Sequence, residues 1–319
     1  MISKHRIQAA AVCGLVLAFA LSACGGSGGG ASSTDPAQAA GGSPRTFHGS
    51  VPPDNLRLST GAKGFVRTVD GRQVVYVVPD PAPSPSMPLM IVLDYLGGNP
   101  TFMADLIEAG KHAAAGEVLA FPAHESGSWN NGLPSNTNTK VDIDFLTDVI
   151  DDATANLPVD GSRIFMTGYS EGGFMANLFA CTRPDLLAGF GMVGAEQLQP
   201  TVCETGTSLK MMSFHGTSDV YVPYNGLGEV ESAPATLGIW EKINGCSGQE
   251  AATTLPTVVK DGTSVIQHQI PGCNAILYEI VNGGHDWPGA EVTPATLLDG
   301  RTSGNIDATS TQWNYFAGG

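Results

Sequence analysis

The chain has 319 residues, 41 of them Gly and 21 Pro, with a formal net charge of −15 and only 14% charged side chains. An average soluble domain is about 25% charged, so a coiled coil or a long helical array is excluded, and 42% hydrophobic content leaves too much core material for an intrinsically disordered chain. The acidic balance excludes nucleic acid as the natural partner, because phosphate binding needs a surplus of Lys and Arg.

Lys4, His5 and Arg6 make a basic start, and the run from Ile7 to Leu21 is apolar and uncharged. That run is short for a membrane span and suits the core of a signal peptide. It ends Leu21-Ser22-Ala23-Cys24, which resembles a bacterial lipobox. Cys24 would then be the acylated first residue of a chain anchored by lipid to the cell envelope. The alternative is an ordinary secretory signal and a soluble secreted protein. Gly25 to about Pro44 is rich in Gly, Ala and Ser and reads as a flexible tether. The expected organisation is a signal peptide over 1–23, a tether and entry segment over 24–60, and one α/β domain over 61–319.

From Gly64 the pattern becomes regular. Phe65–Thr68 and Gln73–Val78 flank Asp70-Gly71, a hairpin signal. After a Pro-studded loop, Leu89–Leu93 is a continuous apolar run, as expected of a strand covered on both faces. Thr101 to Ala115 reads as a helix and Val118 to Phe121 as a short strand. Asp142 to Leu157 carries Phe145, Leu146, Val149, Ile150 and Ala153 at helical spacing. Arg163–Thr167 is a strand and Glu171–Cys181 a helix. Strands recur at Phe190–Val193, Met211–Phe214 and Ala275–Val281, with helices at Ala235–Ile243 and Asp307–Phe316. Alternating strands and helices predict a mostly parallel sheet with helices on both faces and an antiparallel hairpin at one edge.

Six cysteines divide by place. Cys13 lies in the signal and Cys24 at the acylation position, leaving Cys181, Cys203, Cys246 and Cys273. An even number in an exported chain favours two disulfides. Sequential pairing, Cys181–Cys203 and Cys246–Cys273, closes two local loops and is the expected connectivity of the three possible. No Cys-x-x-Cys spacing supports zinc. The acids Asp142, Asp144, Asp148, Asp151 and Asp152 read as a solvated helix face, so no metal is expected.

Gly168-Tyr169-Ser170-Glu171-Gly172 matches G-x-S-x-G. In so Gly-rich a chain the pattern is cheap, and Gly25-Gly26-Ser27-Gly28-Gly29 matches too, with no strand before it or helix after it. Ser170 differs in context: Ile164–Met166 leads in as a strand and Phe174–Leu178 follows as a helix. A sharp strand-to-helix turn needs small residues at 168 and 172 and sets the hydroxyl at a helix N-terminus. The plainer reading is an N-capping Ser in a Gly-rich turn.

A serine hydroxyl needs a base to become a nucleophile. His285 stands in Asn282-Gly283-Gly284-His285-Asp286-Trp287-Pro288-Gly289, a tight loop just past an apolar strand. His112 and His268 read as surface or packing residues, His124 as a weaker candidate base, and His215 as a structural residue at a strand end. The acid belongs between Ser and His in the chain order of this architecture. Asp219 follows the strand Met211–Phe214 in Phe214-His215-Gly216-Thr217-Ser218-Asp219. Ser170 as nucleophile, His285 as base and Asp219 as its orienting acid is the expected triad.

These segments resemble the secreted esterases of the poly(3-hydroxybutyrate) depolymerase and feruloyl esterase group, within the α/β-hydrolases. The resemblance runs from Phe65 to Phe316. It is carried by Gly168–Gly173, His215–Asp219, Ser128-Trp129-Asn130 and, most specifically, Gly284-His285-Asp286-Trp287-Pro288-Gly289. It implies the same roles for Ser170, Asp219 and His285. It also implies an oxyanion hole built from the backbone N–H of Glu171 and of Leu96 or Tyr95. One position departs: where the group usually carries His-Gly before a Gly-Gly pair, this chain has Asp94-Tyr95 before Leu96-Gly97-Gly98. Asp94 is expected to turn away from Ser170 and to accept local hydrogen bonds. Trp129 and Trp287 are expected to line a substrate pocket. No cofactor is implied. The expected activity is hydrolysis of exported-space esters, either hydroxyalkanoate oligomers or feruloyl and acetyl esters of plant polysaccharide. The alternatives are a serine peptidase of the same fold and a non-catalytic surface binding lipoprotein.

Overall fold

The computed structural model describes residues 56–133, 135–201, 203, 208–292 and 300–318. The expected signal peptide, Cys24 and the tether up to residue 55 lie outside the described residues. The opening hairpin forms from β1 (Ala62–Val69) and β2 (Arg72–Pro79). Asp70 and Gly71 both take positive φ, at 43° and 78°, the backbone that a two-residue turn between right-twisted strands requires. Next come β3 (Met87–Leu93), β4 (Val118–Pro122), β5 (Val159–Tyr169), β6 (Gly189–Val193), β7 (Lys210–Gly216), β8 (Ala251–Thr254), β9 (Ser264–Gln269) and β10 (Ala275–Val281).

All ten join one sheet in the order β1-β2-β4-β3-β5-β6-β7-β10-β9-β8. From β4 to β10 every neighbouring pair is parallel. The hairpin makes one edge antiparallel, as expected. The opposite edge is antiparallel too, through β9 and β8. Ala251–Thr254 is exposed throughout and shows no alternation of apolar and polar residues, which is why sequence periodicity passed over it.

Among the described residues six α-helices cover the sheet: α1 (Pro100–Leu106), α2 (Ala109–Ala114), α3 (Thr139–Asn156), α4 (Glu171–Thr182), α5 (Ala233–Ile243) and α6 (Ala308–Ala317). One face buries Phe145, Phe179, Phe190 and Trp240 under α3, α4 and α5. The other buries Phe121, Phe165, Phe214 and Phe316 under α1, α2 and α6. The helix expected over Thr101–Ala115 divides in two. Its break falls at Glu108, in the left-handed region at φ 54°. The break brings Gly110 against the backbone of the entry segment, where a Cβ would lie 2.7 Å from Ser59 N.

Two of the acids expected to face water are structural instead. Asp142 is fully buried. Its Oδ1 accepts from Arg72 and its Oδ2 from the Asn130 backbone N–H at 2.6 Å. Asp152 takes a two-pronged hydrogen bond from Arg67 at 2.7 and 2.8 Å and one from the Tyr76 hydroxyl at 3.0 Å. Both disulfides form with the expected pairing, Cys181–Cys203 and Cys246–Cys273. The second brackets the β8–β9 hairpin. Such bridges persist in an oxidising compartment, the environment of an exported chain.

Candidate active site

Ser170 stands between β5 and α4 with φ 54° and ψ −118°, a backbone that costs a non-glycine residue about 1–3 kcal/mol. Hydrogen bonds hold it there: Ser170 N–H donates to Val193 O at 2.8 Å, and Gly173 N–H donates to Ser170 O at 2.9 Å. The flanking glycines are steric necessities. A Cβ on Gly168 would lie 2.1 Å from Gly172 C, and one on Gly172 would lie 2.5 Å from Leu93 O and 2.6 Å from Asp94 O. The end of β5, the start of α4 and the end of β3 therefore meet backbone to backbone at Ser170.

Asp219 lies in the loop after β7. Its Oδ1 accepts the backbone N–H of Tyr221 at 2.9 Å and of Val222 at 2.8 Å, which aims Oδ2 at His285 Nδ1, 2.6 Å away. Burial alone would raise the Asp219 carboxyl. Contacts with His215 and His285 outweigh it and hold the group down at about 2.

His285 follows β10 and is fully buried. Its ring stacks on Tyr169 with centroids 5.4 Å apart, and the Tyr169 hydroxyl donates to His285 O. His285 Nε2 is buried without a hydrogen-bond partner. Tyr169, the chain neighbour of Ser170, thus packs against the His285 ring. Gly194, next after Val193, has φ 61°, and a Cβ there would come within 3.0 Å of the imidazole.

On the other side of Ser170, Asp94 is buried at 1% exposure. Its Oδ1 accepts from Trp129 Nε1 at 3.0 Å, and among the described residues no hydrogen bond joins its carboxylate to Ser170. Its Oδ2 has no hydrogen-bond partner, and neither has His124 Nε2, 3.9 Å away. Burial pushes the Asp94 carboxyl up to about 6, against the lowering influence of His124 and Trp129. The Glu171 carboxylate accepts from Ser128 Oγ at 2.9 Å and Asn136 Nδ2 at 3.4 Å, and burial raises it as well. Tyr95 is buried and Leu96 exposed in the loop that follows β3.

Both tryptophans expected to line a pocket are interior residues. Trp129 is 0% and Trp287 2% exposed, with the Trp287 indole N–H donating to Thr309 Oγ1 at 3.0 Å. Trp129 braces the loop after β3 by donating to Asp94 O and Oδ1, and Trp287 lies in the loop that carries His285. His112 pairs with Glu117 at 2.8 Å and His268 bridges Glu250 and Glu279, in contact with none of the three candidate catalytic residues. Among the described residues no group of three or more His, Cys, Asp or Glu is placed to hold a metal, and no helix is long and apolar enough to cross a membrane.

No protein-family model matches the chain. Relatives do. A protein named esterase NocK from Nocardia uniformis subsp. tsuyamanensis is 26% identical over 270 residues, covering 75% of this chain and 76% of that one. Feruloyl esterase C of Emericella nidulans is 24% identical, covering 75% and 85%. Feruloyl esterase B of Piromyces equi is 30% identical over 186 residues, 53% of this chain and 31% of that one. The solved acetyl xylan esterase from Aspergillus awamori superposes with a TM-score of 0.55 at 14% identity, over 80% of this chain and 98% of that one, which shows a shared fold. The chain is a carboxylic-ester hydrolase of the α/β-hydrolase fold.

Three features of the candidate site were missed in the sequence. Glu196 is fully buried and pairs with His215 Nδ1 at 2.6 Å, although nothing local in Gly194-Ala195-Glu196-Gln197 marks it. Gly194 looked like one glycine among 41, and only the fold shows His285 against it. The expectation that His215 is structural missed that its Nε2 reaches Asp219 Oδ2 at 3.4 Å. The i, i+4 spacing of His215 and Asp219 was the available signal.

Proposed function

We propose that this esterase works by a Ser170–His285–Asp219 triad through an acyl-enzyme, with feruloyl or acetyl esters of plant polysaccharide as its substrates. The observation that carries the reading is the 2.6 Å contact of Asp219 Oδ2 with His285 Nδ1, with Nε2 of the same ring unpartnered beside the strained Ser170 turn. Asp219 fixes the tautomer, so Nε2 is the free base. Ser170 Oγ attacks the ester carbonyl carbon as its proton passes to Nε2. The oxyanion is received by the Glu171 N–H and by that of Leu96 or Tyr95, whose loop lies against Gly172. Collapse breaks the C–O bond and the alcohol leaves with the proton from Nε2. Water then attacks the acyl-enzyme, giving its proton to Nε2, and the released carboxylic acid frees Ser170 Oγ, which recovers that proton.

Two relatives named feruloyl esterases support this substrate class, and the relative named only as an esterase supports ester hydrolysis. The test compares methyl ferulate, acetylated xylan and hydroxybutyrate oligomers on the purified chain and on Ser170→Ala. Ferulate or acetyl turnover that vanishes in Ser170→Ala is the expected result. Preference for the hydroxybutyrate oligomers would move the substrate assignment, and equal turnover by both proteins would end the triad. The Cys24 segment carries a second proposal, a lipid anchor. Expressed in bacteria, the full chain should incorporate labelled fatty acid and Cys24→Ser should not.

A further inference from the structure

Behind the His285–Asp219 pair, the structure continues the line of acids and bases by two more residues. His215 ends β7 and is buried. Its Nδ1 lies 2.6 Å from Glu196 Oε1. Its Nε2 lies 2.7 Å from Val222 O and 3.4 Å from Asp219 Oδ2. Every atom facing the two ring nitrogens is an oxygen acceptor, so a ring that satisfies both sides must carry a proton on each. Glu196 comes from the loop after β6. Its Oε1 also receives the Ser213 hydroxyl at 3.4 Å, and its Oε2 has no hydrogen-bond partner. The titratable groups facing His215 are Glu196, Asp219 and Tyr224, the last edge-on with ring centroids 5.8 Å apart. His285 lies beyond Asp219.

We propose that Glu196 and His215 are positioning residues of the esterase: Glu196 holds His215 as an imidazolium, and that imidazolium holds Asp219 ionised and aimed at His285. The proposal rests on the triad reading. It explains why a glutamate is buried here at all, since an unpaired buried carboxylate would be strongly destabilising. It also sets the charge of the buried group. With His285 neutral, Glu196, His215 and Asp219 sum to one negative charge. When His285 takes the Ser170 proton, the four residues become neutral, so the charge that develops in the reaction is compensated on the spot. No proton need leave His215 or Glu196 during turnover. The geometry is consistent with the direction of the two shifts. Burial would drive the His215 ring toward neutrality, but hydrogen bonds to Asp219 and Glu196 outweigh it and raise the ring to about 10.

His215 also draws on the charge of Asp219 that His285 uses. Removing the His215 charge should therefore let His285 hold its proton to higher pH. The test uses the full chain with 15N-labelled histidine. At pH 7.5 both ring nitrogens of His215 should be protonated in the wild type and in Ser170→Ala, and only one in Glu196→Gln. The acidic limb of the kcat/KM profile should lie about one pH unit higher in Glu196→Gln than in the wild type, with kcat reduced and KM unchanged. The double variant Glu196→Gln/His215→Gln removes both charges together and should show the same displaced limb, should Glu196→Gln alone fold poorly. A single ring proton on wild-type His215, or a limb that stays in place in the variants, overturns the proposal. Ser170→Ala checks the triad separately. If it hydrolysed ester at the wild-type rate the triad would fall, while the nitrogen spectra would still decide the charge of His215.

Discussion

The two sides of Ser170 are built on opposite electrostatic plans. On the proposed acid–base side, the carboxyls of Glu196 and Asp219 alternate in space with the rings of His215 and His285, and contacts with both rings hold the Asp219 carboxyl down at about 2. On the proposed oxyanion side, Asp94 and Glu171 are buried with few compensating cations, and burial raises both. The lesson is that burial alone does not decide a carboxylate's state: the same enclosure is overcome on one side by partnered charges and prevails on the other for want of them. On the first side Asp219 stays ionised at neutral pH. The second changes charge as pH passes about 6.

The comparison can be broken most severely at its hinge. Ser170→Ala should lower kcat about 10⁴-fold or more, read by hydrolysis of methyl ferulate. Asp219→Asn removes the anion that His285 and His215 share and should lower kcat about 10³- to 10⁴-fold with KM little changed. Gly194→Ala places a methyl 3.0 Å from the His285 ring on a backbone with φ 61°. It should cut kcat/KM about 10- to 100-fold, since small misplacements of a catalytic group are costly. A crystal structure of that variant should show the ring displaced.

The oxyanion side should answer with a gain rather than a loss. The folded Asp94 carboxyl titrates near 6, above the value near 3.9 of an unfolded aspartate. The folded state therefore binds this proton more tightly, and stability falls as pH rises from about 4 to about 6. Asp94→Asn keeps an acceptor for Trp129 Nε1 and offers a donor toward His124. It should stabilise the fold at pH 7.5 by about 1–2 kcal/mol, with no gain at pH 4, in paired thermal melts. The acid–base side has the reverse sign for Asp219: its contribution is present above about pH 4 and lost as pH falls toward 2.

Much of the fold was legible because its signals are local. The apolar run Leu89–Leu93, the Asp70-Gly71 turn and the stripe on α3 each reflect burial or backbone geometry of a few residues. The turn at Ser170 was legible for the same reason, since Gly168 and Gly172 stand where backbones touch. What stayed hidden was set by distant contacts. Asp142 looked like a solvated acid until Arg72 and Asn130 were placed against it, seventy and twelve residues away along the chain. Glu196 needed His215, nineteen residues on. The break at Glu108 sits beside Gly110, where the entry segment passes close to the backbone. The exposed strand β8 has no buried face, so hydrophobic periodicity had nothing to report.

That last strand has a consequence at the level of the whole molecule. An exposed sheet edge is an invitation to exchange strands between copies of a chain. Here the two cysteines at 246 and 273 turn the hairpin of β8 and β9 into a closed covalent ring. The hairpin can fray, but its two ends cannot part. Oxidation therefore keeps β8 beside β9 whenever this edge frays, so the strand returns to its own sheet from a closed loop rather than from an open chain.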